Sequence, residues 1–307
     1  MESIKSLIAA AAFATMVAAA SASLHASQPA KLQAVMTGSR IDITVNGAFL
    51  TSYRFSKDEK YPFFFPVNGP SGAAVTSMRN GQYPHHSSLF FGCDKVNGGN
   101  YWQEANARGQ ILSRGPEILV DNGPEIVIKD TCDWQRPDAV QPFRDTRRIA
   151  VRAPAPELRE IDFDVTLTAL EDVVIEKTNH SFFSARMDPD LTPQYGGRMR
   201  NAEGLAGEKG TFGKPSPWLT CFGPRGGKTE GLAVLQHPSN PGYPSPWFTR
   251  DYGFLSPTPM FWPEDGKSTH LKKDSTLRLR YRVLIFTGTP ESIDIAGKHA
   301  DFSTANP

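Results

Sequence analysis

The stretch Lys177 to Leu191, KTNHSFFSARMDPDL, sets His180 between an amide and a hydroxyl, runs into Phe182 and Phe183, and ends in Arg186, Asp188 and Asp190. Imidazole gives and takes a proton near neutral pH and is the commonest metal ligand. His180 is therefore either a chemical group or part of a packed strand end. His85, His86 and His237 stand in comparable surroundings. The vicinal pair His85-His86 points to opposite faces if extended, so both serve one site only if the chain turns there, as Pro84 allows. No two of the four have the spacing of a zinc motif such as H-E-x-x-H. Proton transfer or substrate binding without a metal, a metal bound by His85, His86, His180 or His237, and a structural role stay open. No G-x-S-x-G elbow, P-loop or dinucleotide fingerprint is present.

Aromatic residues form the second group. Trp102, Trp218, Trp247 and Trp262, with Tyr101, Tyr243 and Tyr252, lie beside polar residues in loop-like segments. An exposed aromatic face stacks on the apolar face of a sugar ring while Arg and Asp take its hydroxyls; buried, the same residues cap a core. PWFTRDYG packs Trp247, Arg250, Asp251 and Tyr252 together and reads as a site.

The elements that must position these groups are strands. IDFDVTLTA alternates Ile161, Phe163, Val165, Leu167 and Ala169 with Asp162, Asp164, Thr166 and Thr168. LRLRYRVLIF sets Leu277, Leu279, Tyr281 and Val283 opposite Arg278, Arg280 and Arg282, which are expected to be solvated or to line a cleft. Asn46-Gly47 and Asp121-Asn122-Gly123 signal hairpins. Helical periodicity is confined to the C-terminus, where Pro290 opens a short helix through Ile295 and His299. With 25 Pro and 26 Gly spread over many connections, an all-β fold is expected, a single large antiparallel β-sandwich over residues 27–307. The segments Asn80–Trp102, Phe182–Trp218 and His237–Gly266 concentrate His, Trp, Tyr, Arg and Asp, as binding loops do.

The balance of 33 Lys+Arg against 32 Asp+Glu gives a net charge of +1 and argues against a nucleic-acid partner. Lys5, the apolar run Leu7 to Ala20 and the small residues Ala20-Ser21-Ala22 read as a signal peptide over residues 1–22, with cleavage after Ala22 or Ala26, so an exported, periplasmic or secreted protein is expected. No second long apolar run follows, which speaks against integral membrane association. Cys93, Cys132 and Cys221 match no zinc or redox motif, allow one disulfide at most, and read as small buried residues.

The blocks GPSGAAVTSM, YPHHSSLFFG, VNGGNYW, TNHSFFSARMDPDL, NAEGLAGEKGTFG, EGLAVLQHPSNP and PWFTRDYGFLSPTP, in this order between about Ile41 and Phe286, resemble the bacterial family known as methane oxygenase PmoA-like. That label carries no mechanism here, because a methane monooxygenase subunit of that name is a bundle of membrane spans. TNHSFF is also similar to the TNHSYF segment of aldose 1-epimerases, the galactose mutarotases. This resemblance implies a galactose-mutarotase-like β-supersandwich with His180 as general acid toward a sugar ring oxygen. The glutamate base of that family has no matching motif here, and Glu230, Asp251 and Glu264 are its substitutes. The expectation is a carbohydrate-directed enzyme, an epimerase, lyase or hydrolase without a cofactor, acting on a small-molecule or oligosaccharide ligand. Catalysis would fall to His180 and Asp251, with His85, His86, Trp102, Arg186, Trp247, Arg250 and Tyr252 around the substrate. The alternatives are a non-catalytic carbohydrate-binding protein and, on the literal label, a metal-dependent oxygenase.

Overall fold

The computed structural model describes residues 30–260 and 268–305. The leader read at residues 1–22, Trp262 and Glu264 lie outside the described residues. Two antiparallel sheets, of twelve and nine strands, make up the body of the protein. The first runs, in spatial order, through Trp247–Arg250, Phe254–Pro257, Ser181–Arg186, Leu89–Val96, Phe63–Val67, Ala48–Arg54, Arg40–Val45 and Leu32–Thr37, ending on Asn122–Gly123. The second runs through Arg198–Asn201, Trp218–Arg225, Lys228–Gln236, Thr276–Thr287, Leu158–Ala169, Phe143–Ala155, Glu125–Gln135 and Gln110–Ser113. The expected large all-β antiparallel sandwich is thus the fold. Among the described residues no helix is long and apolar enough to cross a membrane.

Local signals account for the connections. Asn46 and Gly47 both take positive φ, 52° and 81°, and close Val45 onto Ala48, the conformation a two-residue hairpin turn needs. Leu158–Ala169 lies antiparallel to Thr276–Thr287 over its length, pairing Asp162 with Arg282 and Asp164 with Arg280. Leu277, Leu279, Tyr281 and Val283 are buried as their alternation requires. Of the three arginines opposite them, only Arg278 is solvated. Arg280 and Arg282 are buried, because the C-terminal helix Ile295–Thr304 lays Phe302 across that face, and their guanidiniums stand 5.7 and 4.7 Å from its ring. They line a separate cavity of about 480 Å³ with Asp162, Asp164 and Phe302. Thr289 caps the preceding turn Pro290–Ile293, and Asp294, at φ 54°, divides it from the final helix.

The interior between the sheets is built by rings meeting across the gap: Phe64 and Phe183 against Phe163, Phe183 against Tyr281, and Phe91 against Trp134. All three cysteines are buried and free. On Leu89–Val96 the period of two sends Phe91 to this interior and Phe90 and Asp94 to the other face of the sheet. There Phe90 meets Tyr61 and Trp102 at 4.7 and 5.3 Å. That outer face carries the site.

Candidate functional site

His180 precedes the first residue of Ser181–Arg186, next to Leu89–Val96, and its backbone carbonyl accepts from Asp94 N–H at 3.1 Å. This pairing brings the two side chains together: His180 Nδ1 lies 3.1 Å from Asp94 Oδ2. The carboxylate is 4% exposed and the imidazole 22%, so a ligand can reach the ring while its orienting group stays dry. Among the described residues Nε2 of His180 has no hydrogen-bond partner. Phe182 takes φ 71°, uncommon for a bulky residue. It lets Phe182 stack on Phe91 while its neighbour Phe183 also reaches the interior.

Trp102 packs on His180 with ring centroids 4.3 Å apart. Its position depends on Gly92, where a Cβ would fall 2.4 Å from the carbonyl oxygen of Tyr101; only glycine lets that segment lie so close to the strand. Asn100 Oδ1 then accepts the backbone N–H of Trp102 and Gln103, and Lys60 Nζ holds the carbonyls of Asn100, Ala105 and Gly109. Burial lowers the Lys60 ammonium to about 8.

The vicinal histidines do turn. His86 N–H donates to Tyr83 O at 3.2 Å with Pro84 second in the turn. Their rings stand 4.5 Å apart, His85 5.4 Å and His86 5.7 Å from Trp102. His86 is sandwiched between Tyr83 and Phe254, at 5.1 and 4.5 Å. Burial, then His85, Arg186 and His180, press its pKa down to about 2, so it is neutral in ordinary buffers. His85 is also lowered, by burial and by His180. It lines a cavity of about 330 Å³ with Lys60, Tyr61, Arg79, Trp102 and Glu104.

The far wall comes from the hairpin of Trp247–Arg250 and Phe254–Pro257. Gly253, at φ 89°, makes its turn and sets Tyr252 on Tyr83 with centroids 4.3 Å apart. Arg186 projects beneath them, its guanidinium 4.4 Å from the Tyr252 ring and its Nη1 donating to Tyr252 O at 2.6 Å. Phe248 meets His180 edge-on at 5.6 Å, and Arg250 stacks on the Phe248 ring at 4.4 Å.

His85, His86, Trp102, His180, Arg186 and Tyr252 thus gather in one place, with Arg250 one ring behind. Five of the sequence expectations require correction. Trp247 is fully buried and donates its indole N–H to Ser216 O at 2.9 Å, so it offers no face to a ligand. Asp251 is taken up by the helix Gly207–Thr211: it accepts Glu208 N–H at 2.7 Å and returns its own N–H to Glu208 Oε2. Glu230 is fully buried and receives Ser71 N–H and the Thr287 hydroxyl. His237 directly follows the strand Lys228–Gln236 of the nine-stranded sheet, where its Nε2 faces Arg280 Nη1 at 2.7 Å, and does not join the other three histidines. Trp102 is itself fully buried, a wall between the histidines with no ring face open to stack a sugar. Among the described residues no three His, Cys, Asp or Glu side chains are arranged to hold a metal ion.

The sequence reading missed Asp94, Tyr83, Phe248 and Phe254. Asp94 had a signal: it is the one carboxylate in the strand LFFGCDKV, directly after the apolar run LFFGC and on the face opposite Phe91. The aromatics had none beyond their composition.

Several solved structures are similar to this chain. A candidate aldose 1-epimerase from Klebsiella pneumoniae subsp. pneumoniae matches at a TM-score of 0.43 and 8% identity, over 91% of this chain and 88% of its own. An α-galactosidase from Lactobacillus brevis matches at 0.39 and 10% identity, over 84% of this chain and 39% of its own. A candidate kojibiose phosphorylase from the human microbiome matches at 0.39 and 10%, over 91% of this chain and 36% of its own. The chain thus spans about two fifths of the length of the galactosidase and less of the phosphorylase. These TM-scores are too low for the likeness to bear on chemistry. No curated protein matches the sequence. Residues 40–300 match the model of the Family of unknown function (DUF6807), and the chain belongs to that family.

Proposed function

We propose that the protein is a carbohydrate-directed enzyme that moves protons through His180. The observation that carries this reading is the His180–Asp94 pair. A buried carboxylate on Nδ1 holds the ring and its tautomer, stabilises the imidazolium when it forms, and leaves Nε2 to meet a substrate oxygen. His85, neutral near pH 7 because its pKa is lowered and packed on the same indole, is the second proton carrier. It takes the role for which Asp251 and Glu230 are disqualified by their own partners. The half-buried Tyr83 and Tyr252, whose rings are stacked on each other, border the place of a sugar with their edges, and Arg250 suits its hydroxyls. The reaction class is proton transfer at a sugar ring or glycosidic oxygen, as in epimerisation, elimination or hydrolysis. The leader-like residues 1–22 support a periplasmic or secreted location, and the PmoA-like blocks add a family label without a reaction.

The test is an NMR screen of reducing sugars and oligosaccharides with wild-type protein and the His180→Asn variant. Conversion by the wild type should fall about 10²–10⁴-fold in the variant, with melting temperatures within a few degrees of each other. Equal activity in the two would return His180 to a structural role. Sugars bound without any conversion would make the protein a carbohydrate-binding module.

A further inference from the structure

Among the described residues the buried arginines are Arg147, Arg186, Arg280 and Arg282. Three have an acidic partner: Arg147 pairs with Asp145 at 2.7 Å, Arg282 with Asp162 at 2.6 Å, and Arg280 with Asp164 at 3.8 Å. Arg186, 4% exposed, forms no ion pair with any described residue. One of its five N–H bonds is used, on the Tyr252 carbonyl, and its Nε is buried without an acceptor. A buried guanidinium that lacks a counter-charge is costly, and the rings of Tyr252 and Tyr83, at 4.4 and 5.7 Å, offset only part of that cost.

Other polar atoms of the cleft are also left without partners. Trp102 Nε1–H is buried with no acceptor, and the His86 Nδ1 atom, whose ring stacks on Tyr83, is buried without a hydrogen-bond partner. Among the described residues the carboxylates of this region have partners elsewhere: Asp94 Oδ2 on His180, Asp251 on the Glu208 N–H, and Asp188 on Arg225 at 2.7 Å, with Asp94 Oδ1 left buried without a partner. A fixed, buried positive charge with spare N–H groups and no described carboxylate paired to it is a setting for an oxyanion. The planar fork of arginine is built to take one with two parallel bonds.

We infer that Arg186 forms an oxyanion subsite of the His180 cleft, so that the sugar it receives is acidic and carries a carboxylate or phosphate group. The word sugar rests on the function proposed above; the subsite rests on Arg186 alone. Calorimetric titration separates the two, using a uronic acid, a hexose 6-phosphate, the matching neutral hexose, sodium acetate and inorganic phosphate. An acidic sugar should bind wild-type protein at least about tenfold more tightly than the neutral hexose, the scale of one charge-assisted contact. Arg186→Gln should abolish that preference. Arg186→Lys, which keeps the charge without the fork, should reduce it. A uronic acid preferred over the hexose phosphate identifies the carboxylate as the ligand group, and the reverse order identifies phosphate. Neutral hexose bound as tightly as both acidic sugars overturns the subsite and leaves the carbohydrate reading standing, as does a preference that survives Arg186→Gln. Acetate or inorganic phosphate bound only when Arg186 is present, with no sugar bound, overturns the carbohydrate reading and leaves the subsite standing. Should Arg186→Gln fail to fold, the wild-type comparison of acidic with neutral sugar decides.

Discussion

Replacing His86 with Phe isolates the acid sensitivity of the cleft. The imidazole lies between Tyr83 and Phe254, beside Trp102, and makes no hydrogen bond to a described residue. A phenyl ring of similar breadth therefore strands no protein partner. The folded chain holds His86 neutral down to about pH 2, whereas the unfolded chain takes up a proton near the ordinary value of 6.5. Below 6.5 the unfolded state binds the extra proton, so stability is fully present above that pH and drains away as pH falls. The loss is about 1.4 kcal/mol per unit, or about 2 kcal/mol between pH 7 and pH 5. His85, His237 and His299, whose pKa values are also lowered, contribute to both proteins and cancel in the difference. Urea unfolding of wild type and His86→Phe at the two pH values should show the wild type losing about 2 kcal/mol more than the variant. Equal losses would mean that His86 titrates normally in the folded state, and that the stacked cluster is open to water.

Asp94→Asn keeps an oxygen for His180 Nδ1 but removes the charge. Turnover should fall by about 10²-fold or more without a drop in melting temperature, since Asp94 Oδ1 is already buried without a partner; a destabilised variant would make Asp94 a structural residue. In Gly92→Ala the new methyl meets the Tyr101 carbonyl at 2.4 Å. Chemical denaturation should register a loss of about 1–3 kcal/mol, and tryptophan fluorescence should report a displaced Trp102; an unchanged spectrum would mean the segment is not held by that approach. Asp145→Ala leaves Arg147 charged and 3% exposed and takes away the acceptor of Trp134 Nε1–H. A loss of about 3–5 kcal/mol is expected, and one under about 1 kcal/mol would show that the interior rehydrates.

The body of the fold is legible in the sequence because a half-buried strand must alternate. IDFDVTLTA and LRLRYRVLIF declare both their state and their buried face, and Asn46-Gly47 declares its turn. What alternation cannot say is what covers the polar face, which is why the sequence left Arg280 and Arg282 either solvated or lining a cleft, and only the fold shows Phe302, some twenty residues further on, lying over them beside a cavity. The same blindness limits the site. The histidines and Arg186 could be chosen by side-chain chemistry alone, but Trp247 and Asp251 stand beside Arg250 in PWFTRDYG and turn elsewhere, to Ser216 and Glu208. Asp94 escaped for the opposite reason: one acid in an apolar strand looks like a solvated position until the pairing with His180 is known.

The cleft has a temporal property that follows from how its contacts are distributed. The His180–Asp94 contact joins residues 86 apart, the Arg186–Tyr252 bond residues 66 apart, and the Ser184–Ser256 bond behind them residues 72 apart. Each closes only after neighbouring strands of the twelve-stranded sheet that lie far apart in sequence have found their register, and pairings of such long range are slow to form. A chain in which Ser181–Arg186 has not yet paired with Leu89–Val96 has no oriented imidazole. On refolding, the proposed activity should recover later than the β-structure, and so report when these two strands have paired.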